Sequence, residues 1–137
     1  MFNRILLAAA GRPTDEQLIL YAGHMARIEK ATITVFHSYQ LPTHYEGTAG
    51  YDALSEQMRA IAQNIVDELV SELREDGIDA NGEVRAGDAT ETIIAAVAER
   101  ECNLIVMGAH GGRLSDVLGS VSIQVARRSP CPIVLVP

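Results

Sequence analysis

The chain has 137 residues, a formal net charge of −7 and 47% hydrophobic residues, the profile of one globular domain (residues 1–137) whose core needs no metal or disulfide. Eighteen acidic residues face eleven basic ones, of which Lys30 is the single lysine, so there is no footprint for a nucleic-acid backbone or an anionic membrane surface. No apolar run approaches the roughly 18–20 residues of a membrane span, and 4% aromatic residues without Trp argue against a base-stacking platform.

Short runs rich in Ile, Leu and Val alternate with longer segments of three-to-four periodicity, which implies parallel strands joined by crossover helices. Met1 to Gly11 has the outline of a short signal peptide, but its apolar stretch is at the short limit. Arg4 to Ala9 reads better as a strand buried on both faces and ended by Gly11. A helix follows to about Glu29, with Thr14 as N-cap, Gln17 closing a capping box, and Leu18, Tyr21, Ala22, Met25 and Ile28 on its inner face. Thr32 to His37 forms the second strand, and Ser38 to Gly50, with Pro42 and two glycines, reads as a loop. The spacing predicts a long helix from about Ala53 to Asp76, burying Leu54, Met58, Ile61, Ile65, Leu69 and Leu73 and stopped by Gly77. A weaker strand lies near Ala80 to Arg85, and Asp88 caps a helix that buries Ile93, Ala96 and Val97. Leu104 to Met107 is a strongly apolar fourth strand. A short helix from about Gly119 to Arg128, ended by Arg127 and Arg128 as complements to its dipole, leads to a last strand, Pro132 to Val136. Cys102 and Cys131 form no disulfide framework and read as packed thiols of a cytoplasmic chain.

The segment from Met107 to Ser122 holds four of the eleven glycines directly after a buried strand. Glycine admits close approach of a ligand to the backbone, and a helix opening at Gly119-Ser120 directs free N–H groups and positive dipole at an anion. Ser120 and Ser122 add hydroxyl donors, and Arg113 is the cation of the loop. A Gly-rich turn with a serine cap and no ligand would have nearly the same spacing. No G-x-x-x-x-G-K-[ST] run and no G-x-G-x-x-G turn is present, which excludes a Walker-type NTPase and a dinucleotide dehydrogenase. His37 and His110 fall near the carboxyl edge of the sheet without a third ligand at recognisable spacing, so no metal site is expected; His24 and His44 read as surface groups.

Nearly end to end, the sequence resembles the universal stress protein family. The resemblance is carried by the strand and turn Ile5 to Gly11, the long helix after a variable loop, Gly87-Asp88, and Leu104-Ile105-Val106-Met107-Gly108-Ala109-His110-Gly111. Its most specific part is Gly119-Ser120-Val121-Ser122 followed by Ser129-Pro130-Cys131-Pro132 and the last strand. It implies an open five-stranded parallel sheet of order 3-2-1-4-5 with helices on both faces, Rossmann-like and similar to adenine nucleotide alpha hydrolases. It also implies a homodimer joined through Pro132 to Val136, and an adenine nucleotide (ATP, ADP or AMP, with or without Mg2+) as ligand. The residues that match the family's binding pattern are Met107, Gly108, His110, Gly111, Arg113, Gly119, Ser120, Val121 and Ser122, with Ala10 at the end of the first strand. Three departures mark this chain. Only seven residues separate Gly111 from Gly119 where binding members have nine. Ala10 stands where they carry an Asp, and Ser38 where a Val packs the adenine. The expectation is a small stress-response regulator that binds nucleotide weakly and signals to an unidentified protein partner. A non-binding interaction module is the alternative, and a slow ATP hydrolase, with Asp116 as the loop's one carboxylate, the third reading.

Overall fold

In the computed structural model, which describes residues 1–109 and 119–137, each expected apolar run forms a strand. These are β1 (Arg4–Ala8), β2 (Thr32–Tyr39), β3 (Ala80–Ala86), β4 (Leu104–Gly108) and β5 (Ile133–Val136). They pair in parallel in the order β3-β2-β1-β4-β5, the order the family resemblance implies. The described helices are α1 (Asp15–Glu29), α2 (Tyr51–Glu75), α3 (Ala89–Glu99) and α4 (Ser120–Arg128), with a single 3-10 turn at Thr43–Tyr45. Strand alternation divides the core. Ile5, Leu7, Ile33, Val35 and Val106 face α1 and α2, whereas Leu6, Phe36, Ile105 and Met107 face α3 and α4.

Two amphipathic readings need correction. On α1 the buried residues are Leu18, Ile19, Ala22, Gly23 and Ala26 together with Asp15, while Tyr21 and Ile28 are 49% and 66% exposed. A Cβ on Gly23 would touch Ile78 and Leu73, which places that flank of α1 against the C-terminal end of α2. Tyr21 and Ile28 lie on the opposite flank, toward β5. On α2 burial begins only at Ala62, and Leu54 and Ile61 are exposed. At 1.5 Å per residue this 25-residue helix spans about 37 Å, against about 26 Å for the eight residues of β2. Its first turns therefore overhang the carboxyl edge of the sheet. Where α2 does pack, it packs closely, because a Cβ on Gly82 of β3 would collide with Val66.

Local signals fared better at other helix ends. Gly77 ends α2 in the left-handed region at φ +78°, and the Asp88 carboxylate accepts the Glu91 N–H at 3.0 Å. Ser38, expected in a loop, continues β2 by pairing with Arg85. Arg128 does more than face its helix end, donating to both carboxylate oxygens of Glu91 on α3. Cys102 is buried and free, and burial pushes its thiol above the ordinary value; Cys131 is free and half-buried.

On the α3 and α4 face, a polar network covers the outer part of the sheet. Glu83 on β3 receives Arg85 and, at 2.7 Å, the Arg100 Nε. Arg100 also donates to Asn81 at 3.1 Å, and Thr34 donates to the same Asn81 oxygen at 3.0 Å. Burial pushes the Glu83 carboxyl up, but the hydrogen bonds and charges of Arg85 and Arg100 outweigh it and hold the group below its ordinary value of 4.5. A depressed carboxyl stabilises the fold fully above its unfolded pKa and ceases to do so as pH falls through the folded one. The stability difference between the native protein and Glu83→Gln, measured in urea, is therefore expected to be largest near neutral pH and to shrink as pH falls below the ordinary carboxylate range. A difference independent of pH would show that the network acts by packing alone.

Candidate functional site

The carboxyl ends of β1, β2 and β4 open into a cleft of about 240 Å³. It lies where β1 separates strands whose following helices leave on opposite faces, the usual ligand position of an open α/β sheet. Its rim begins at the β1–α1 turn. There the Asp15 carboxylate, only 4% exposed, accepts the N–H groups of Ala10 at 2.9 Å, Gly11 at 2.8 Å and Arg12 at 3.4 Å. Gly11 sits at φ +75°, and a Cβ there would stand 2.9 Å from Ile65 of α2. The turn thus binds its own anion. Thr14, the expected cap, makes no side-chain cap bond: it sits in helical conformation, φ −62° and ψ −20°, and the first N–H groups of α1 donate to the backbone oxygens of Arg12, Pro13 and Thr14.

The opposite rim is the start of α4. Gly119 precedes the helix in extended conformation, φ −65° and ψ 155°, with no capping side chain. Its own N–H donates to Ala109 O at 2.9 Å, which ties the helix start to the end of β4. The glycine therefore matters here for its missing side chain and not for a left-handed φ. Peptide N–H groups of the first turn of α4, with the positive end of its dipole, face the cleft. Ser122, expected to donate to a ligand, is 3% exposed and donates instead to Gly108 O at 2.7 Å. Ser120 is exposed and lines the cleft.

Of the ten residues singled out in the sequence, Ala10, Met107, Gly108, Gly119, Ser120, Val121 and Ser122 line this one cleft. His110, Gly111 and Arg113, and with them the shortened loop, lie outside the described residues. Sequence reasoning missed Arg12, which supplies a cation to the rim, and gave His37 no ligand role; Ser38, aligned with the family's adenine-packing position, does line the cleft. Their signal was positional, since Arg12 follows the turn glycine and His37 and Ser38 end β2 at the carboxyl edge. The His37 Nδ1–H donates to Ala9 O at 2.7 Å. Phe36, Ile93 and Met107 form apolar walls. Among the described residues, no group of three or more His, Cys, Asp or Glu is placed to hold a metal ion, and no helix is long and apolar enough to cross a membrane.

A model of the Universal stress protein family matches residues 1–137. The chain belongs to that family. A universal stress protein of Thermus aquaticus is 30% identical to it over 141 residues, covering 99% of both chains. The universal stress protein UspA from Lactobacillus plantarum superposes with a TM-score of 0.85 at 22% identity, over 99% of this chain and 98% of that one. An Archaeoglobus fulgidus universal stress protein solved in complex with dAMP gives 0.75 at 19% identity, with full coverage of both chains. Another universal stress protein, in complex with cAMP, gives 0.73 at 20%, covering 98% and 96%. These likenesses establish the fold; the cleft described above is this universal stress protein's own.

Asp15 is the residue on which the shape of the first rim depends. Asp15→Ala removes the buried acceptor of three N–H groups in an otherwise exposed turn and is expected to cost about 1–3 kcal/mol of unfolding free energy. Asp15→Asn, which keeps one acceptor oxygen, is expected to cost about half as much. Urea midpoints of the two variants test this, and an unshifted midpoint for Asp15→Ala would mean that the turn is held by its neighbours.

Proposed function

We propose that this universal stress protein domain binds an adenine mononucleotide in the carboxyl-edge cleft and acts as a regulatory binding module. One observation carries the reading: a ligand-sized cleft gathers the N-terminus of α4, Ser120 and Arg12 at its rims, with apolar walls between them. The first three suit a phosphate, and the walls suit a base packed against aliphatic side chains. Its volume of about 240 Å³ is below the roughly 300–1,000 Å³ of typical ligand sites and favours a mononucleotide over a dinucleotide. The complexes of two family members with dAMP and cAMP support the same ligand class. Calorimetric titration with AMP, ADP and ATP, each with and without Mg2+, is expected to give saturable heat in the micromolar to low millimolar range, abolished by Gly119→Val. Flat traces with all three favour a second reading, an interaction module without nucleotide, for which Ala10 is the motivating observation because it offers no carboxylate to the adenosine.

The domain is further proposed to work as a homodimer joined through Pro132–Val136. β5 is a sheet edge that pairs only with β4, and Ile133, Val134 and Leu135 are half-buried. An open apolar edge is a pairing template, and a second copy adding antiparallel satisfies two-fold symmetry. The exposed Tyr21 and Ile28 lie on the flank of α1 nearer that edge and extend its apolar surface. Sedimentation equilibrium is expected to give about twice the 14.8 kDa chain mass, with the double variant Tyr21→Lys, Ile28→Lys shifted toward the single chain. A 14.8 kDa species at every concentration of the native protein would rule the dimer out.

A further inference from the structure

We infer that His37 selects the base of the bound nucleotide, its Nε2 accepting a hydrogen bond from the exocyclic amino group of adenine and so discriminating against 6-oxopurines. The inference rests on the nucleotide site proposed above and assigns a specificity role within it.

The argument begins with the tautomer. Ala9 O lies 2.7 Å from His37 Nδ1 and is an acceptor only, so Nδ1 carries the proton. In the neutral ring Nε2 is then left as an acceptor, held in orientation by the bond on the other nitrogen. The ring lines the cleft, and the turn beside it carries Gly11, whose Cβ would meet His37 Cε1 only at an ordinary contact distance of 3.9 Å.

Strand order supplies the register. The start of α4 is tied to the end of β4 through Ser122 to Gly108 and Gly119 to Ala109. β1 lies between β4 and β2. A phosphate on the first turn of α4 is therefore two strand spacings, about 10 Å, from the end of β2. That separation leaves the ribose over β1, above Ala8 to Ala10, and brings the base to β2, where His37 is located. The other acceptors nearby do not choose between purines. Ala10 has no polar side chain, the Asp15 oxygens are committed to the turn, and the Ser38 hydroxyl can either donate or accept. An Nε2 lone pair, by contrast, attracts the amino group of adenine and opposes the carbonyl oxygen that hypoxanthine and guanine carry at the same position. Ile65 beside the turn and Phe36 in the wall make the surroundings partly apolar, so an unmatched pair of acceptors is poorly relieved by water.

AMP and IMP differ at this position and share their ribose and phosphate, so their calorimetric titration against the full chain isolates it. The native protein is expected to bind AMP about tenfold more tightly than IMP, the worth of one matched against one opposed hydrogen bond. His37→Phe should bring the ratio close to one by weakening AMP, and His37→Gln, whose amide can accept from adenine or donate to a 6-oxo group, should restore AMP binding without restoring the preference. Nitrogen-15 spectra of the native protein provide a readout that needs no variant. The unprotonated Nε2 resonance should move on saturation with AMP and stay in place with inorganic phosphate. Equal binding of AMP and IMP by the native protein, a preference that survives in His37→Phe, or an unmoved Nε2 resonance overturns the role of His37 while leaving the nucleotide site standing. Absence of binding by both nucleotides overturns the site and this role together.

Discussion

The position of β1 between β2 and β4 is the constraint on which the rest of the molecule depends. Parallel strands need crossovers, and crossovers are right-handed, so stepping from β1 to β2 to β3 puts α1 and α2 on one face. Stepping back past β1 to β4 and β5 puts α3 and α4 on the other, as the two buried clusters show. The helices that follow β1 and β4 consequently lie on opposite faces at the carboxyl edge. The gap between them is the cleft, and it exists before any residue within it is specified. What the local sequence adds is permission for its use, through a glycine at φ +75° in one rim and an uncapped helix start in the other.

The two rims handle charge in different ways. At the β1–α1 turn, three peptide N–H groups converge and are satisfied internally by Asp15. A free anion gains little there, because it would have to displace a buried carboxylate. At α4 the cap position is a glycine with no side chain of its own, so among the described residues no carboxylate competes for that helix start as Asp15 does at the first turn. Ser122 spends its proton on Gly108 and fixes the helix start against β4. Of the two serines in the motif, one therefore positions the site and the other is exposed at the cleft.

Much of this was legible in the sequence, for identifiable reasons. The strands could be read because central parallel strands are buried on both faces and cannot tolerate polar interruption, as Ile5 to Ala8 and Leu104 to Met107 demonstrate. The wall and helix-start residues of the site could be read because a glycine-rich segment after such a strand has a fixed topological place. Periodicity, however, reports which side of a helix is apolar and not how far the sheet beneath it extends. Leu54 and Ile61 continue the α2 stripe past the end of the strands, and Tyr21 and Ile28 continue the α1 stripe past its contact. Thr14 was the expected cap by its place before the helix, but it makes no cap bond; the side chain that orders the turn is Asp15, whose two oxygens take N–H groups that one hydroxyl could not. Arg12 and His37 carry no local signature at all. Their relevance arises only when β1 and β2 are laid side by side.

The composition gains a physical meaning from this arrangement. A chain with one lysine, far from the cleft at the end of α1, and a net charge of −7 does not attract a nucleotide by long-range electrostatics. Helix N–H groups and a partly solvated arginine act only at contact distance and fade within a turn or a Debye length. Phosphate contacts of that kind are shared by every nucleotide and offer no choice among them. In the proposed nucleotide site, discrimination then falls to the other end of the cleft, where the walls are aliphatic or phenyl and the directional groups belong to the end of β2. A ring nitrogen oriented by the Ala9 carbonyl is a fixed acceptor in such surroundings. A modest grip on the phosphate is therefore compatible with a sharp preference at the base, because the two are set by different strands of the same sheet.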